Sequence, residues 1–465
     1  MKKAIIGILF ATGLLCNLQT HAQDTTNLQL NFSQALDLAI IHDQDLQAAE
    51  FLYQSELATR GLSFGALLPQ INFTTSTSRT EQNIPITARD RANAATFAIN
   101  NPTAPAILLN PDSSFSTNRF ALTLNQTLYN HKLYKQLEQT DIRIASATAT
   151  IESERQNLIV RLADAYFNVL GAQDNVKFAN AEKEAIEKQL EQSKKRFEVG
   201  LIAITDVKET QASFDTSVSQ AINAQNVLAS QLEALSIILG TYNPRISPMI
   251  NSIELTLPQP ADITQWTDNA LNNNLALKAA TFNFQATQAQ VKVDKSDHYP
   301  FLNLTAEHRN DNSKGGRFGG VDITSTSLTL QLTIPIYSGG SINTKIKQSL
   351  LLKERARAIK EKTRRQTLQQ TRDAYLGISS TIAQVNALKQ ALTSTQIAHE
   401  ATQAGFEVGT RTAIDVLATL REVYRAERDY ARARYNYIIN TLKLKQATGT
   451  LNISDGQDVN HFLQN

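Results

Sequence analysis

Four segments of the chain alternate apolar and polar residues with a period of two, which predicts β-strands with one apolar and one polar face. The intervening positions are mostly Asn, Thr, Ser and Gln. The apolar positions of the first pair of segments are Ile71, Phe73, Phe120, Leu122 and Leu124, and those of the second pair are Leu302, Leu304, Leu328, Leu330, Leu332 and Ile334. The sequence therefore predicts two β-hairpins.

Stretches rich in Ala, Leu and Gln, without internal proline, flank the strands and predict α-helices. One helix precedes each hairpin, over about 32–64 and 263–295. A much longer helix follows each hairpin, over about 133–197 and 341–406. At 1.5 Å per residue each long helix would extend roughly 100 Å, several times the length of a usual globular helix. No compact domain accommodates such elements.

A turn and a return helix follow each long helix, with the return helices predicted over about 206–239 and 412–448. Gly200 and Gly409 suit the left-handed residue that ends a helix. The helix before the strands and the return helix, about 35 residues each, together match one long helix in length. Stacked end to end, they would form a rod beside it.

The two halves of the chain repeat one another. Phe406 repeats Phe197 within a shared Phe-Glu-Val-Gly motif, and Tyr375 repeats Tyr166 within Asp-Ala-Tyr, both 209 residues later. The first half has a longer insertion between its strands, which contains Pro85, Pro102, Pro105 and Pro111. We predict a signal peptide over 1–22, a first repeat over 23–240, a linker over 241–262, a second repeat over 263–448 and a C-terminal tail over 449–465.

The first residues have the pattern of a cleavable secretory signal. Two lysines precede an apolar run from Ala4 to Leu15, and small and polar residues follow up to Ala22. The run of about 12 residues is well short of the roughly 20 that a helix needs to cross a bilayer. Cys16 is the single cysteine, so cleavage after Ala22 would leave neither disulfides nor thiolate metal sites. The bulky Leu15 before it argues against lipidation.

Charge and side-chain chemistry exclude other classes of function. The formal charge of +2 falls to zero without the two lysines of the leader, and no basic stripe predicts a nucleic-acid partner. The histidines are scattered without ligand spacing, so neither a metal nor a cofactor is expected. The glycine-rich segment 315–320 lies between strands rather than before a helix, and no nucleophile elbow occurs, so an enzyme is not predicted.

Four alternating strands of about ten residues have the length and pattern of a transmembrane barrel wall. Four strands cannot close a barrel, and an open edge in lipid would leave unpaired amides and carbonyls at a cost of several kcal/mol each. Three chains would supply twelve strands. Two alternatives stay open: solvent-exposed hairpins on a helical protein, and a pore-less coiled-coil scaffold in the periplasm or at the surface.

The chain resembles the outer membrane factor family of TolC-like channels over nearly the whole mature part. The motifs that carry the resemblance are Asp164–Leu170, Arg196–Val207, Val408–Thr412 and Ala433–Tyr437. The resemblance implies an α+β fold: a homotrimer with a twelve-stranded β-barrel in the outer membrane, which continues into a long α-helical barrel in the periplasm. The linker and the tail would form an equatorial belt.

The resemblance also implies function and partners. Members of the family form the exit duct of tripartite efflux pumps and type I secretion systems. The partners would be two further copies of the chain, a periplasmic adaptor (membrane fusion) protein, an inner-membrane pump of the RND or ABC class, and outer-membrane lipid. The periplasmic tips would open when pump and adaptor engage.

A gate latch is implied by position. Thr205 and Asp206 would accept hydrogen bonds from Arg411 within one protomer and hold the tip shut. The family's tyrosine that bonds the neighbouring protomer matches Phe406, which has no hydroxyl, so that bond would be lost. The plainer interpretation of Asp206 is a helix N-cap, since Asp206 and Glu209 have the spacing of a capping-box variant.

The resemblance also places a pore constriction and an adaptor contact at the tips. Asp415 matches one of two aspartate rings of the family, and the other position is Ala418. Gly200 and Gly409 would lie in the tips that meet the adaptor. The plainer interpretations are a solvated surface charge for Asp415 and helix-ending residues for both glycines.

Overall fold

A computed structural model describes most of the chain. The described residues are 29–83, 85–102, 112–250, 253–315 and 320–464. The predicted signal peptide lies outside them. The helices are α1 (Phe32–His42), α2 (Gln44–Gly65), α3 (Ala88–Asn100), α4 (His131–Glu198), α5 (Ile204–Leu239), α6 (Ile263–Asn273), α7 (Leu275–Lys295), α8 (Ser341–Glu407), α9 (Ala413–Ala447) and α10 (Ile453–Asp458), and the strands are β1 (Gln70–Asn83), β2 (Asp112–Asn130), β3 (Phe301–Gly315) and β4 (Val321–Thr333).

The helix predicted before each hairpin is divided in two, which corrects the sequence-based expectation. Asp43 ends α1 and begins α2, where its carboxylate accepts the Leu46 N–H at 2.8 Å. Asn274 does the same between α6 and α7, and its side-chain oxygen accepts the Leu277 N–H at 2.9 Å. Both residues have an extended ψ that a continuous helix would not allow. The break therefore recurs in both repeats.

The long helices have the predicted extent. α4 has 68 residues and α8 has 67, or roughly 100 Å each. Near the sheet, α4 packs against α2 and α7, and farther away it packs against α5 and α9. In the same way, α8 packs first against α7 and then against α9. Two shorter helices thus stack along each long one.

The strands form one antiparallel sheet in the order β1-β2-β3-β4. They have 14, 19, 15 and 13 residues, which is longer than predicted. The added residues are mostly polar, and the few apolar ones, Phe115, Val321 and Ile323, do not continue the apolar face, so hydrophobic periodicity did not reveal them. Asn310 lies within β3 and pairs with Phe120.

The pairing register gives the sheet two different faces. Rows across the four strands alternate in character: one row consists of Ile71, Leu124, Ala306 and Leu328, and the next, on the opposite face, of Gln70, Asn125, Thr305 and Thr329. We call the face that carries the apolar row the outer face. The predicted apolar and polar faces are therefore confirmed, and the apolar side chains Ile71, Leu328 and Leu330 are largely exposed in the single chain.

The insertion between β1 and β2 contains a helix, α3, that periodicity did not predict. Thr87 and Asp90 form a capping box at its start: the Asp90 N–H donates to Thr87 Oγ1 at 3.3 Å, and the Thr87 N–H donates to Asp90 Oδ2 at 3.0 Å. The spacing of Thr87 and Asp90 is the sequence signal that could have predicted the start of this helix. Pro105 and Pro111 of the insertion lie outside the described residues.

The main apolar core lies midway along the helices, where α1, α4, α5, α9 and the linker meet. Tyr166 is fully buried there, with its ring edge-on to Phe32 at 5.6 Å. Its hydroxyl donates to the carbonyls of Leu30 at 3.0 Å and Ser247 at 3.1 Å, and burial raises its pKa. The repeat counterpart Tyr375 is only half-buried.

The linker and the tail wrap this core. Leu30 bridges Ile246 in parallel, and Met249 bridges Leu463 in antiparallel. In the tail, a Cβ at Gly456 would come 2.9 Å from Leu36 Cδ2, so a larger residue there would require the buried Leu36 side chain to shift. The chain thus has a belt around its middle, between the sheet and the helical tips.

Candidate functional site

The two helical hairpins α4–α5 and α8–α9 end in matching turns, at the opposite end of the long helices from the sheet. Gly200 and Gly409 have φ of +77° and +79°, the left-handed conformation predicted for them. The Leu201 N–H donates to the Arg196 carbonyl at 2.9 Å, and the Thr410 N–H donates to the Gly405 carbonyl at 2.8 Å. Each is the hydrogen bond between the sixth and the first residue of a Schellman motif. The same turn therefore ends the long helix in both repeats.

The return helices begin differently in the two repeats. At α9, Thr412 is the N-cap and Asp415 completes a capping box with it. At α5 the corresponding residue is Ala203, which has no side-chain oxygen, and no side-chain cap is formed. The capping-box variant predicted for Asp206 and Glu209 is therefore wrong, because α5 begins at Ile204 and Asp206 already lies in its first turn.

Asp415 is held by its own helix terminus. Its Oδ2 accepts the Thr412 N–H and the Thr412 hydroxyl, each at 3.0 Å. These hydrogen bonds, together with the nearby Arg411 charge, lower the pKa of the Asp415 carboxyl. The carboxylate thus stays charged to lower pH than an ordinary aspartate, and its position on the tip is fixed.

The proposed latch residues lie in the two turns without touching. Among the described residues, the hydrogen bonds and ion pairs include none that joins Arg411 to Thr205 or Asp206. The Arg411 side chain is exposed and starts close to Gly405, where a Cβ would come 2.8 Å from its Cγ. Thr205 is exposed as well, and Asp206 is half-buried. The latch stays a proposal.

A contact that the sequence did not predict joins the hairpins at the tip. The Arg196 guanidinium at the end of α4 lies over the Phe406 ring at the end of α8, 4.2 Å from its centroid. Phe406 is only 4% exposed and packs against Ala413 and Val416. Such a cation–π contact is worth about 0.5–2 kcal/mol, depending on desolvation. This contact joins the two hairpins at the tip within one chain.

A second contact between the hairpins lies four helical turns above it. The Glu182 carboxylate on α4 is 5% exposed and 3.8 Å from the Arg421 guanidinium on α9. Burial raises the pKa of Glu182, and the charges of Arg428 and Arg421 oppose this shift. A buried carboxylate that faces two guanidinium groups holds α9 against α4, because moving α9 away would leave it without its counter-charge.

Nearer the core, α4 and α9 are joined by polar side chains along their length. The Tyr435 hydroxyl donates to Asp174 at 2.5 Å, Lys443 Nζ pairs with Asp164 at 3.1 Å, and Gln446 donates to Asn157 at 2.7 Å. These contacts lie beside the main apolar core, whereas the contacts of Glu182 and Arg196 lie outside it. The tips are therefore the more weakly joined part of the two hairpins.

Two properties of the described residues bear on the site. None of the described helices has a stretch long and apolar enough to cross a membrane. Within the described part of the chain, no group of three His, Cys, Asp or Glu side chains is arranged as a metal site.

The chain was compared with known proteins. It matches the model of the family described as outer membrane efflux protein over residues 35–241 and 266–450. It is similar to outer membrane protein TolC of Escherichia coli, with 33% identity over 354 residues that cover 74% of this chain and 71% of that protein. It is also similar to the proteases secretion protein PrtF of Dickeya chrysanthemi, with 24% identity over 424 residues that cover 90% and 88%.

A solved structure shares the fold. The Campylobacter jejuni CmeC outer membrane channel superposes with a TM-score of 0.76 at 18% identity, over 92% of this chain and 89% of that chain. The family match includes a long stretch in each repeat and most of the described residues. This chain belongs to the outer membrane efflux protein family.

Proposed function

We propose that this chain forms the exit duct through the outer membrane for tripartite efflux pumps and type I secretion systems. The observation that carries the proposal is a four-stranded sheet with an exposed apolar face, joined directly to two helical hairpins about 100 Å long. Membership of the outer membrane efflux protein family supports a role in efflux, and the similarity to the proteases secretion protein PrtF supports a role in protein secretion.

Three copies assemble into one channel. Within the part of the chain that the structure describes, the outer edges of β1 and β4 have no partner strand, and unpaired edge groups in lipid cost several kcal/mol each. Pairing β1 of one copy with β4 of the next closes a barrel of twelve strands, whose outer face is apolar and whose lumen is polar. The helices continue as a tunnel through the periplasm.

The tips are the gate and the contact point for partners. The turns at Gly200 and Gly409 are exposed and level with one another, which suits contact with a periplasmic adaptor, while an inner-membrane RND or ABC pump delivers the cargo. Opening moves α8–α9 away from α4–α5, so the contacts of Arg196 and Glu182 resist it. The proposed latch from Arg411 to Thr205 and Asp206 would add to them.

The purified mature protein is expected to migrate as a heat-labile trimer and to conduct ions in planar bilayers. Both results follow from closing the barrel between chains, since a single sheet can neither hold a pore nor resist detergent. Gel migration with and without boiling, and single-channel recording, are the measurements. A pore-less coiled-coil scaffold would form no channel in bilayers, and that result would overturn the proposal.

Replacing Arg411 by serine is expected to raise single-channel conductance a few-fold. A latch between a guanidinium and an exposed carboxylate is worth about 1 kcal/mol or less per protomer, and it is repeated three times in the trimer. Arg425→Ser is the matched control, because Arg425 pairs with Glu422 on its own helix at 3.1 Å. If both variants conduct like the unsubstituted protein, Arg411 has no part in the gate.

A further inference from the structure

The outer face of the sheet changes character halfway along the strands. Toward the helices its rows are apolar, as in Phe73 and Leu122, or Leu304 and Leu330. In the row of Phe73 and Leu122 the partners on β3 and β4 are already polar, and in the rows beyond it the side chains are amides, hydroxyls and the Asp322 carboxylate, with Phe120 as an apolar exception. We call these rows the collar; they contain Thr75, Thr77, Asn118, His308, Asn310, Asn312, Asp322, Thr324 and Thr326.

The collar stands above the part of the barrel that lipid tails would cover. A membrane-spanning strand needs only about 9–11 residues, whereas β2 has 19 and β3 has 15. Successive rows on one face are two residues apart, or about 6.6 Å along the strand, and the collar begins directly where the apolar rows of the membrane-facing band end. It therefore faces the headgroup layer of the outer leaflet.

The collar side chains are arranged by hydrogen bonds between neighbouring strands. Asn310 Nδ2 donates to Asp322 Oδ1 at 2.8 Å and to Thr324 Oγ1 at 3.0 Å. Thr77 Oγ1 donates to Asn118 Oδ1 at 2.9 Å, and the His308 ring pairs with Thr326 at 2.8 Å. These bonds hold amide and hydroxyl groups in fixed rows while their free donors and acceptors face outward.

Two cations continue the same face just above the collar. Arg79, Ser116 and Lys314 occupy one row across β1, β2 and β3. Both cations are exposed, and Arg79 lies 3.7 Å from Glu81, its next neighbour on that face. The row spans about 10 Å from β1 to β3, or two strand spacings. It places positive charge just beyond the amides and hydroxyls of the collar.

We propose that the collar, with Arg79 and Lys314, binds the headgroup of a phosphorylated glycolipid in the outer leaflet. Rows of amides and hydroxyls suit sugar hydroxyls, and guanidinium and ammonium groups suit phosphate. The surface is continuous with the lipid-facing rows, so a lipid seated on the apolar band places its headgroup on the collar. This inference rests on the membrane placement in the proposed function.

The test uses the purified full-length trimer in detergent and lipopolysaccharide truncated to its inner core as the probe. Replacing both cations, Arg79→Ser with Lys314→Ser, is expected to weaken binding roughly tenfold, since two charge-assisted contacts are lost. The matched control is Arg89→Ser with Arg91→Ser on α3, which removes the same charge from exposed residues of the same side. The control should bind like the unsubstituted protein.

Further probes identify what is recognised. Phosphatidylglycerol and inorganic phosphate should compete at least tenfold more weakly than the glycolipid, because neither offers sugars to the collar. Equal competition by either one, or equal binding by both double variants, would overturn the proposal. Bilayer conductance of the unsubstituted protein separates the two proposals: if that protein conducts but does not bind the glycolipid, the collar proposal alone is overturned, and if it forms no pore, the proposed duct is overturned.

Discussion

A channel with Asp415→Gln is expected to withstand at least ten times the concentration of a trivalent cation that blocks the unsubstituted channel from the tip side. Threefold symmetry repeats Asp415 around the axis if its helix faces the pore, and three converging carboxylates attract multivalent cations. Ala418, one turn farther on, provides no second ring. The block should therefore depend on Asp415 alone.

The control for this experiment follows from the capping box. Asp415 both carries the charge and accepts the Thr412 N–H, so a variant that removes the charge must keep the cap. Gln and Glu both serve at this third helical position, which makes Asp415→Glu the matched control with the charge retained. The glutamate channel should be blocked like the unsubstituted one. If all three are blocked at the same concentration, Asp415 does not line the constriction.

The block should also depend on pH in a definite direction. Hydrogen bonds from Thr412 lower the pKa of Asp415 in the single chain, while mutual repulsion of three carboxylates in the trimer would raise it. In either case the carboxylates are charged above their pKa, so block is complete near neutral pH and is lost as the pH falls through that pKa. Block that strengthens on acidification would assign the cation site to another group.

Arg196→Ala is expected to produce the largest increase in channel open probability among single substitutions at the tip. The cation–π contact with Phe406 is worth about 1 kcal/mol where it is partly desolvated. If the three protomers open together, losing three contacts shifts the closed-to-open ratio by about 3 kcal/mol, or roughly a hundredfold. Single-channel recording of conductance and open probability measures the effect.

Two comparisons make this prediction specific. Lys195→Ala removes the same charge from the exposed neighbour in the same helical turn, and it should leave the channel closed. Phe406→Leu keeps apolar packing against Ala413 and Val416 but removes the ring. Because one contact cannot be lost twice, Arg196→Ala with Phe406→Leu should open the channel no further than Arg196→Ala alone. Additive effects would mean that the two residues act separately.

The repeated parts of this structure were predictable from sequence, and the exceptions have physical causes. The long helices and the glycine turns follow from length, periodicity and the need for a positive φ at Gly200 and Gly409. The breaks at Asp43 and Asn274 were missed because their signal is one capping side chain within an otherwise helical pattern. The two breaks are 231 residues apart, the same distance that separates Pro69 and Pro300 at the starts of the two hairpins, so they occupy equivalent positions in the two repeats.

Contacts between distant segments were beyond the reach of sequence patterns. Arg196 and Phe406 are 210 positions apart, and nothing in either local pattern indicates that they meet. The capping box of α9 was within reach, because Thr412 and Asp415 have the required spacing, whereas position 203 has alanine. The polar upper halves of the strands were missed because both faces are solvated there, which removes the alternation.

The matched lengths of α4 and α8, at 68 and 67 residues, constrain how such a protein can evolve. Both helices start at the same sheet and must end level at the tips. One inserted residue would move a tip by about 1.5 Å and turn every later side chain by about 100°. An insertion of seven residues nearly restores the facing and adds about 10 Å, but it must occur in both long helices and in the helices stacked beside them. The width of periplasm that the duct can bridge can therefore change only when several helices change length together. A protein that spans a wider envelope would need either a longer adaptor or matched insertions in four helices.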